Sequence, residues 1–83
     1  MAQLFKVPLV LTPQTEGGFT VTSPVLPELL TEGDTLEEAL ANVQDALLAT
    51  LEIYEDLKKP FPANLRQDPQ GAPIWFESVV ARP

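Results

Sequence analysis

The chain has 83 residues, 45% hydrophobic and 20% charged, a composition that is typical of one globular domain and excludes wholesale disorder. Twelve acidic residues against five basic ones give a net charge of −7, which argues against direct binding of nucleic acid phosphates. The absence of Cys and His removes disulfides, thiolate metal sites and the commonest general base. We therefore expect a single domain over residues 1–83, with no cofactor and no metal.

The N-terminal part of the chain is predicted to form a β-hairpin. Residues 3–12 have apolar side chains on both faces of a strand. Pro8 lies within this run and cannot donate to a ladder, so its position must face an edge or a bulge. A polar turn with two glycines, residues 13–18, leads into residues 19–22, which alternate between apolar and polar side chains.

The central part of the chain predicts a proline turn, a short strand and a long helix. The prolines at positions 24 and 27 interrupt the second strand, and residues 29–31 are long enough for a third. Thr35 followed by Glu38 has the spacing of a capping box, so a helix is predicted over residues 36–59. Apolar residues recur along it at intervals of three and four, which indicates one buried stripe: Leu36, Ala39, Leu40, Val43, Ala46, Leu47, Leu51, Tyr54 and Leu57.

The C-terminal part predicts an ordered connector and a last strand. Pro60 ends the helix, and residues 60–73 are rich in proline, with Phe61 and Leu65 expected as anchors in the core. Residues 74–81 alternate in the manner of a strand. The predicted fold is therefore α+β, with a small, mainly antiparallel sheet, one long helix on one face and the order β-β-β-α-β. The other sheet face is expected to stay partly bare, which favours dimerisation.

No constellation of catalytic residues is present in the sequence. A two-metal nuclease needs carboxylates that converge from neighbouring elements, but Glu77 is the one acid on the predicted strands. The other acids fall in turns or on the helix, mostly opposite its apolar stripe. Ser23 and Ser78 have no His to activate them. We therefore expect a protein that is not an enzyme.

Five residues are candidates for a partner or oligomer interface: Leu48, Ile53, Trp75, Glu77 and Val79. Leu48 and Ile53 lie off the main helical stripe, where they form a hydrophobic patch that a partner would cover. The alternative is that Leu48 simply widens the core stripe. Trp75 is the one Trp in the chain, and Trp is over-represented at interface hot spots. The alternative for Trp75 is core packing or a cap over the connector.

The central segment GGFTVTSPVLPELLTEGDTLEEALANVQDAL closely resembles the N-terminal domain of HicB-family antitoxins. In that family a strand ends in a Pro-x-Leu-Pro turn and leads into a Thr-Glu-Gly-Asp-Thr-Leu-Glu-Glu-Ala helix start. The matching positions are Gly18, Phe19, Val21, Pro24, Leu26, Pro27, Thr31, Gly33, Asp34, Leu36, Glu38, Ala39 and Ala46. The chain departs from the family pattern at Val25, where an acid is common, and at Glu28, where Gly is common.

The resemblance implies a partial ribonuclease-H-like (HicB-like) fold without nuclease activity. The resemblance further implies that full-length HicB-like antitoxins bind and block HicA, a small basic toxin that cleaves mRNA. They usually form oligomers, dimers or larger, and repress their own operon through a C-terminal DNA-binding module. The chain ends just after the last predicted strand, so we expect that module to be absent and direct nucleic acid binding not to occur.

Three functional hypotheses follow from this resemblance. The first is an antitoxin-type protein-binding subunit that neutralises a small basic HicA-like toxin. The alternative is a stand-alone oligomeric HicB-like domain with a structural or regulatory binding role and no toxin partner. The third, a metal-dependent enzyme of ribonuclease H type, has no support from the distribution of acids. The N-terminal apolar run is too short to span a bilayer and lacks a basic start, so we expect a cytoplasmic protein that does not bind membranes.

Overall fold

The structure is a computed structural model that describes residues 4–68, 70–80 and 82. It confirms the α+β class, with small antiparallel sheets and one long helix packed against strands. The observed order is β-β-β-β-α-β, one strand more before the helix than predicted. The elements are β1 (Leu4–Phe5), β2 (Val10–Pro13), β3 (Phe19–Thr22), β4 (Leu30–Gly33), α1 (Leu36–Asp56) and β5 (Arg66–Gln67), with a 3-10 turn at Ala63–Leu65.

The main sheet has three antiparallel strands in the order β2-β3-β4. The predicted hairpin between β2 and β3 is confirmed, with Leu11 opposite Val21. Gly17 and Gly18 both have positive φ, 99° and 81°, which allows the chain to reverse between the two strands. The Gln14 amide closes the loop by donating to the carbonyl of Gly18 at 3.0 Å. The hairpin thus forms where local turn chemistry predicts it.

The first strand is shorter than the sequence predicts. A continuous strand was expected over residues 3–12, but β1 ends at Phe5 and β2 begins at Val10. Residues 6–9 between them include Pro8, whose missing N–H interrupts a ladder. The two pieces therefore pair with different partners: β1 with β5, and β2 with β3. Gln3 lies outside the described residues.

The start of α1 agrees with the predicted cap. The hydroxyl oxygen of Thr35 accepts a hydrogen bond from the backbone N–H of Glu38 at 3.1 Å. Just before it, Gly33 lies against the first turn of the helix so closely that a Cβ on Gly33 would stand 2.3 Å from the backbone nitrogen of Ala39. The helix packs on β3 and β4 and covers one face of the main sheet. Close packing at Gly33 sets how the helix joins the sheet.

The helix ends at Asp56, three residues before the predicted end at Lys59. Lys58 takes a left-handed conformation with φ of 53°, which stops the helix before Pro60 can do so. The N–H of Lys58 then donates to the carbonyl of Glu55, and the N–H of Lys59 donates to the carbonyl of Tyr54, at 3.1 and 2.9 Å. This pair of bonds defines a Schellman motif, with a lysine at the position that usually holds glycine.

The buried side chains form two neighbouring clusters between the helix and the strands. One contains Leu26, Leu29, Tyr54 and Leu65; the other contains Val21, Ala39 and Val43. Leu47 packs against both clusters and joins them. The predicted stripe holds except at Leu57, which is 70% exposed because it follows the last helical residue. Thr50, which the stripe omits, is buried, and its hydroxyl donates to the carbonyl of Ala46.

The connector is anchored as predicted. Leu65 is buried, and the ring of Phe61 makes edge contacts with the rings of Phe5 and Tyr54, at centroid distances of 4.7 and 5.3 Å. These contacts bring β1 and the connector together beside the C-terminus of the helix.

The predicted last strand over residues 74–81 is wrong for the residues that the structure describes. Residues 74–80 contain no strand, and Ala81 lies outside the described residues. The strand that follows the helix is β5, Arg66–Gln67, which pairs antiparallel with β1. An alternating pattern shows that a segment fits a sheet, but a strand also needs a neighbour with free backbone groups. Here β5 takes the place beside β1.

Candidate protein-binding site

The C-terminal segment, defined here as residues 72–80, borders an open cleft of about 880 Å³. Residues 6–9 and Leu11 line the cleft from the N-terminal part of the chain, and residues 75–79 line it from the C-terminal segment. The helix contributes Leu40, Val43 and Gln44. Three of the five predicted interface residues, those at positions 75, 77 and 79, therefore lie at one cleft.

The large side chains of the C-terminal segment are exposed. Trp75 is 81% exposed, so the alternative of core packing for this residue is wrong. Glu77 is exposed, and Val79 is half exposed. The structure adds two residues that were not predicted as interface candidates, Phe76 and Val80, at 77% and 82% exposure. Both residues belong to the alternating pattern of residues 74–81, which was interpreted as a strand and not as an interface.

Hydrogen bonding holds this segment weakly. The Lys6 ammonium donates to the carbonyl of Trp75, and among the described residues this is the one hydrogen bond of the segment. Glu77 is the one charged residue of positions 72–80, and Lys6 is the one other charged residue that lines the cleft. The cleft is therefore close to neutral, on a chain whose net charge is −7.

Leu48 lies on a different surface. It is 60% exposed, so it does not widen the core stripe. Asp45 is three residues before it, Glu52 four after and Glu55 seven after, and residues at those spacings are neighbours on a helix surface. All three carboxylates are exposed. We call Leu48 with these three acids the acidic helix face; it presents one apolar side chain among negative charges.

Ile53 is separated from Leu48. Five residues of helix rotate a side chain by about 140°, so Ile53 points to the opposite flank. It is 43% exposed. Asn42 lies on the Ile53 flank and donates from its side-chain amide to the carbonyl of Glu32 in β4, at 2.7 Å. The predicted patch of Leu48 with Ile53 is therefore two separate positions.

The departure from the family pattern at Glu28 has a structural explanation. The Glu28 carboxylate accepts hydrogen bonds from the Tyr54 hydroxyl at 2.8 Å and from the Lys59 ammonium at 3.0 Å. Lys59 also lies over the Tyr54 ring, 4.7 Å from its centroid. These contacts attach the proline turn to the C-terminal end of the helix.

The charges in this cluster shift each other's protonation. The hydrogen bond from Lys59, with those from the backbone and Tyr54, holds the pKa of the Glu28 carboxyl below its usual value. The same bond to Glu28 raises the pKa of Lys59. Burial, followed by the hydrogen bond to Glu28, raises the pKa of Tyr54. All three groups are occupied with one another, which fits a structural role.

The described residues contain no group of three or more acidic side chains placed to hold a metal ion. Within the same part of the chain, no helix combines the length and hydropathy that a membrane crossing requires.

Comparisons with known proteins connect this architecture to a family. Over 77 residues the chain is 44% identical to "Antitoxin HicB 1" of Photorhabdus laumondii, a match that covers 90% of this chain and 50% of that protein. It is 40% identical over 79 residues to "Antitoxin HicB" of Escherichia coli K12, covering 90% of this chain and 57% of that protein. The chain thus spans about half the length of the antitoxins that it matches. A scan against protein-family models finds no match.

A shorter relative is covered more completely. The "UPF0150 protein Ta0767" of Thermoplasma acidophilum is 32% identical over 57 residues, which is 69% of this chain and 83% of that protein. With the antitoxin matches over nearly all of this chain, it shows that the chain belongs to the HicB family. The names of these relatives describe antitoxins and not enzymes, which agrees with the expectation drawn from the sequence.

Proposed function

We propose that this chain is an antitoxin-type subunit that binds and neutralises a small basic toxin of the HicA kind. The observation that carries the proposal is the 44% identity to an antitoxin over 90% of the chain. The net charge of −7 supports it, because opposite charges raise the rate at which two proteins meet. In this role the chain acts as one HicB-like domain, in the cytoplasm, where an mRNA-cleaving toxin has its substrate.

The acidic helix face is the surface we assign to the toxin. Leu48 supplies an apolar anchor, and Asp45, Glu52 and Glu55 supply charges that complement a basic partner. An interface with an apolar centre and a charged rim is the usual arrangement, in which the centre gives affinity and the rim gives rate and selectivity. The first turn of the helix adds Glu37 and Glu38 to the same negative field.

The test is binding of the purified chain to a HicA-like toxin, together with relief of toxicity when the two are co-expressed. We expect Leu48→Lys to weaken binding by about 30-fold or more, because it removes the anchor and adds a charge that repels a basic partner. Leu30→Lys is the matched control: Leu30 is 68% exposed on β4, away from this face, and its replacement should leave binding unchanged.

Salt dependence separates this mode of binding from a purely apolar one. The association rate should fall as salt rises, since exposed charges separated by more than about 8 Å are screened at physiological ionic strength. A chain that neither binds a HicA-like toxin nor relieves its toxicity would remove the proposal. An equal loss of toxin affinity in Leu48→Lys and Leu30→Lys would mean that the toxin binds to another surface.

The second candidate is an oligomeric HicB-like domain with a structural or regulatory binding role and no toxin partner. The exposed apolar side chains of the C-terminal segment favour it, since they suit contact with another protein chain. If copies of the chain bind one another and the chain has no affinity for a HicA-like toxin, this second candidate is the correct one.

A further inference from the structure

The acidic helix face and the cleft beside the C-terminal segment adjoin each other along one flank of the helix. We propose that a HicA-like toxin occupies both at once: its basic surface lies on the acidic helix face, and apolar side chains beside that surface enter the cleft. This inference rests on the proposed function, because it concerns how the same toxin is held. It assigns a second contact region that the proposed function does not use.

Gln44 joins the two regions. Its side chain is exposed, and it is one of the helix residues that line the cleft. Leu48 lies four residues further along, a spacing at which side chains are neighbours on a helix surface, with Cβ atoms about 5–6 Å apart. Four residues rotate a side chain by about 400°, so the two side chains differ in direction by about 40°. A partner that covers Leu48 therefore meets Gln44 and then the cleft.

The acidic helix face is too small and too polar to hold a partner tightly by itself. A specific interface buries about 800 Å² on each partner and has an apolar centre. Leu48 is the one large apolar side chain of this face, and three carboxylates surround it. Exposed charge pairs add little affinity, because water and salt screen them. Tight binding of a toxin therefore needs further apolar area next to this face.

The cleft supplies apolar area in the required place. Leu40 and Leu11 line it from the helix and from β2, and Trp75, Phe76 and Val79 line it from the C-terminal segment. The last three side chains are half or more exposed, so much of their apolar area is in contact with water. The cleft volume of about 880 Å³ is in the range of cavities that enclose a ligand, so side chains of a partner fit inside it.

The C-terminal segment is able to adjust around a bound side chain. Residues 73–80 form no helix, turn or strand, and within the described part of the chain the contact from Lys6 to Trp75 is their one hydrogen bond. A segment with so few internal contacts has low local stability, so it reorients at little cost in free energy. The wall of the cleft can therefore fit itself to the partner.

Charge indicates what kind of partner uses both regions. The acidic helix face attracts any basic protein, so charge alone does not distinguish a toxin from other basic proteins. The cleft is close to neutral, with Lys6 and Glu77 as its charged residues, so it selects by shape and apolar contact. A toxin with apolar side chains beside its cationic surface satisfies both regions. A basic protein with a wholly charged surface satisfies the first one only.

The two regions should control different rate constants. Exposed charges act before contact and mainly raise the association rate. Apolar contacts form only after docking, so they mainly lower the dissociation rate. Kinetic measurements therefore separate the contribution of the acidic helix face from that of the cleft.

The first experiment measures the binding kinetics of the full chain with a HicA-like toxin. Phe76→Ser with Val79→Ser should raise the dissociation rate by about 30-fold or more and leave the association rate within about twofold. Glu52→Gln with Glu55→Gln should lower the association rate by about fivefold or more at low salt, with a smaller effect on dissociation. All four side chains are exposed, so we expect both variants to fold, and circular dichroism checks this.

Val10→Ser is the matched control for Val79→Ser alone. The two valines are almost equally exposed, at 47% and 50%. Val10 lies on the sheet face opposite the helix, because its neighbour Leu11 pairs with the buried Val21 on the helix side. Val79→Ser should raise the dissociation rate by about fivefold or more, whereas Val10→Ser should leave it unchanged. Equal effects of the two substitutions would overturn the inference.

Trp75 gives an independent readout of the cleft. The chain has one Trp, so a fluorine-labelled tryptophan reports on this position alone. Unlabelled toxin should shift the fluorine NMR resonance of Trp75, and the shift should saturate at one toxin per chain. Leu48→Lys should reduce the shift at a toxin concentration that saturates the parent chain, since one toxin contacts both regions. A resonance that bound toxin leaves unchanged contradicts the inference.

Failure of this inference is distinguishable from failure of the proposed function. A parent chain that binds no HicA-like toxin removes the proposed function itself. If the parent binds and Leu48→Lys weakens binding, but Phe76→Ser with Val79→Ser leaves the dissociation rate unchanged, the proposed function stands and the second contact region is wrong. The inference is also wrong if the cleft variants change the mass of the free chain in light scattering, because the C-terminal segment then acts through contact between copies.

Discussion

The acidic helix face and the C-terminal segment both expose large apolar side chains, but their backbones are in opposite states. The helix around Leu48 satisfies its backbone groups within itself, so its position follows from its own residues and the stripe it buries. The C-terminal segment has similar apolar content but no ladder partner among the described residues. A helix forms its backbone hydrogen bonds within itself, whereas a strand forms only when a neighbouring strand supplies hydrogen-bond partners.

The largest expected effect contrasts a buried with an exposed apolar residue. Leu26 is fully buried, so Leu26→Ala should lower the free energy of unfolding by about 3–4 kcal/mol. Phe76→Ala, at a side chain 77% exposed, should change it by less than about 0.5 kcal/mol when the chain is dilute enough to be monomeric. Urea unfolding measures both. A large loss in the Phe76 variant at low concentration would show that the segment packs on its own chain.

The next effect tests how the helix joins the sheet. Gly33→Ala should lower the free energy of unfolding by about 2–3 kcal/mol, because its Cβ would overlap the backbone of Ala39. Gly17→Ala is the matched control: open space surrounds its Cβ position, and the cost is limited to about 1 kcal/mol for a residue with positive φ. If the two variants had equal stability, close packing at Gly33 would not be what fixes this junction.

A smaller effect of opposite sign is expected at the end of the helix. Lys58→Gly should raise the free energy of unfolding by about 0.5–1 kcal/mol, because glycine adopts the left-handed conformation without a Cβ penalty. Lys58→Ala removes the same charge but keeps Cβ, so it should leave stability near that of the parent chain. Thermal unfolding compares the three proteins, and stabilisation by both substitutions would point to charge as the cause.

The smallest effect is the pH dependence of the cluster at Glu28. The pKa of Glu28 lies below its usual 4.5, so its contribution to stability is present above that pH and is lost as the pH falls through the lowered pKa. The pKa values of Tyr54 and Lys59 lie above 10.0 and 10.5, so their contributions are present below pH 10.0 and are lost as the pH rises further.

Glu28→Gln isolates this contribution. The difference in unfolding midpoint between the parent chain and the variant should be constant between pH 4.5 and pH 10.0. It should shrink as the pH falls below or rises above that range. It should be small, because the Lys59 and Glu28 side chains are 49% and 28% exposed to solvent. A difference that grows as the pH falls would contradict the proposed pairing.

Several elements were predictable from local physical chemistry. The hairpin at Gly17 and Gly18, the Thr35 cap and most of the helical stripe each depend on interactions within a few residues. The predicted end of the helix was wrong by three residues because Pro60 was taken as the stop, while the left-handed Lys58 acts earlier. No sequence rule favours lysine at that position.

The candidate site was predictable only in part. Trp75, Glu77 and Val79 were identified from an alternating pattern and do lie at one cleft, but the strand assigned to them is not formed. Leu48 and Ile53 were grouped as one patch, although about 140° of helix rotation separates them. Their role in binding stays a prediction.

The sequence by itself determined the α+β class, the hairpin, the start of the helix and membership of the HicB family, because turn residues, caps and a 3.6-residue period act locally. The tertiary structure decided which strands pair. It joined β1 to β5 across more than 60 positions, attached Glu28 to Tyr54 and Lys59, and left the C-terminal segment without a ladder. These outcomes depend on competition between distant segments for the same backbone groups, and a pattern read along one segment contains no information about its competitors.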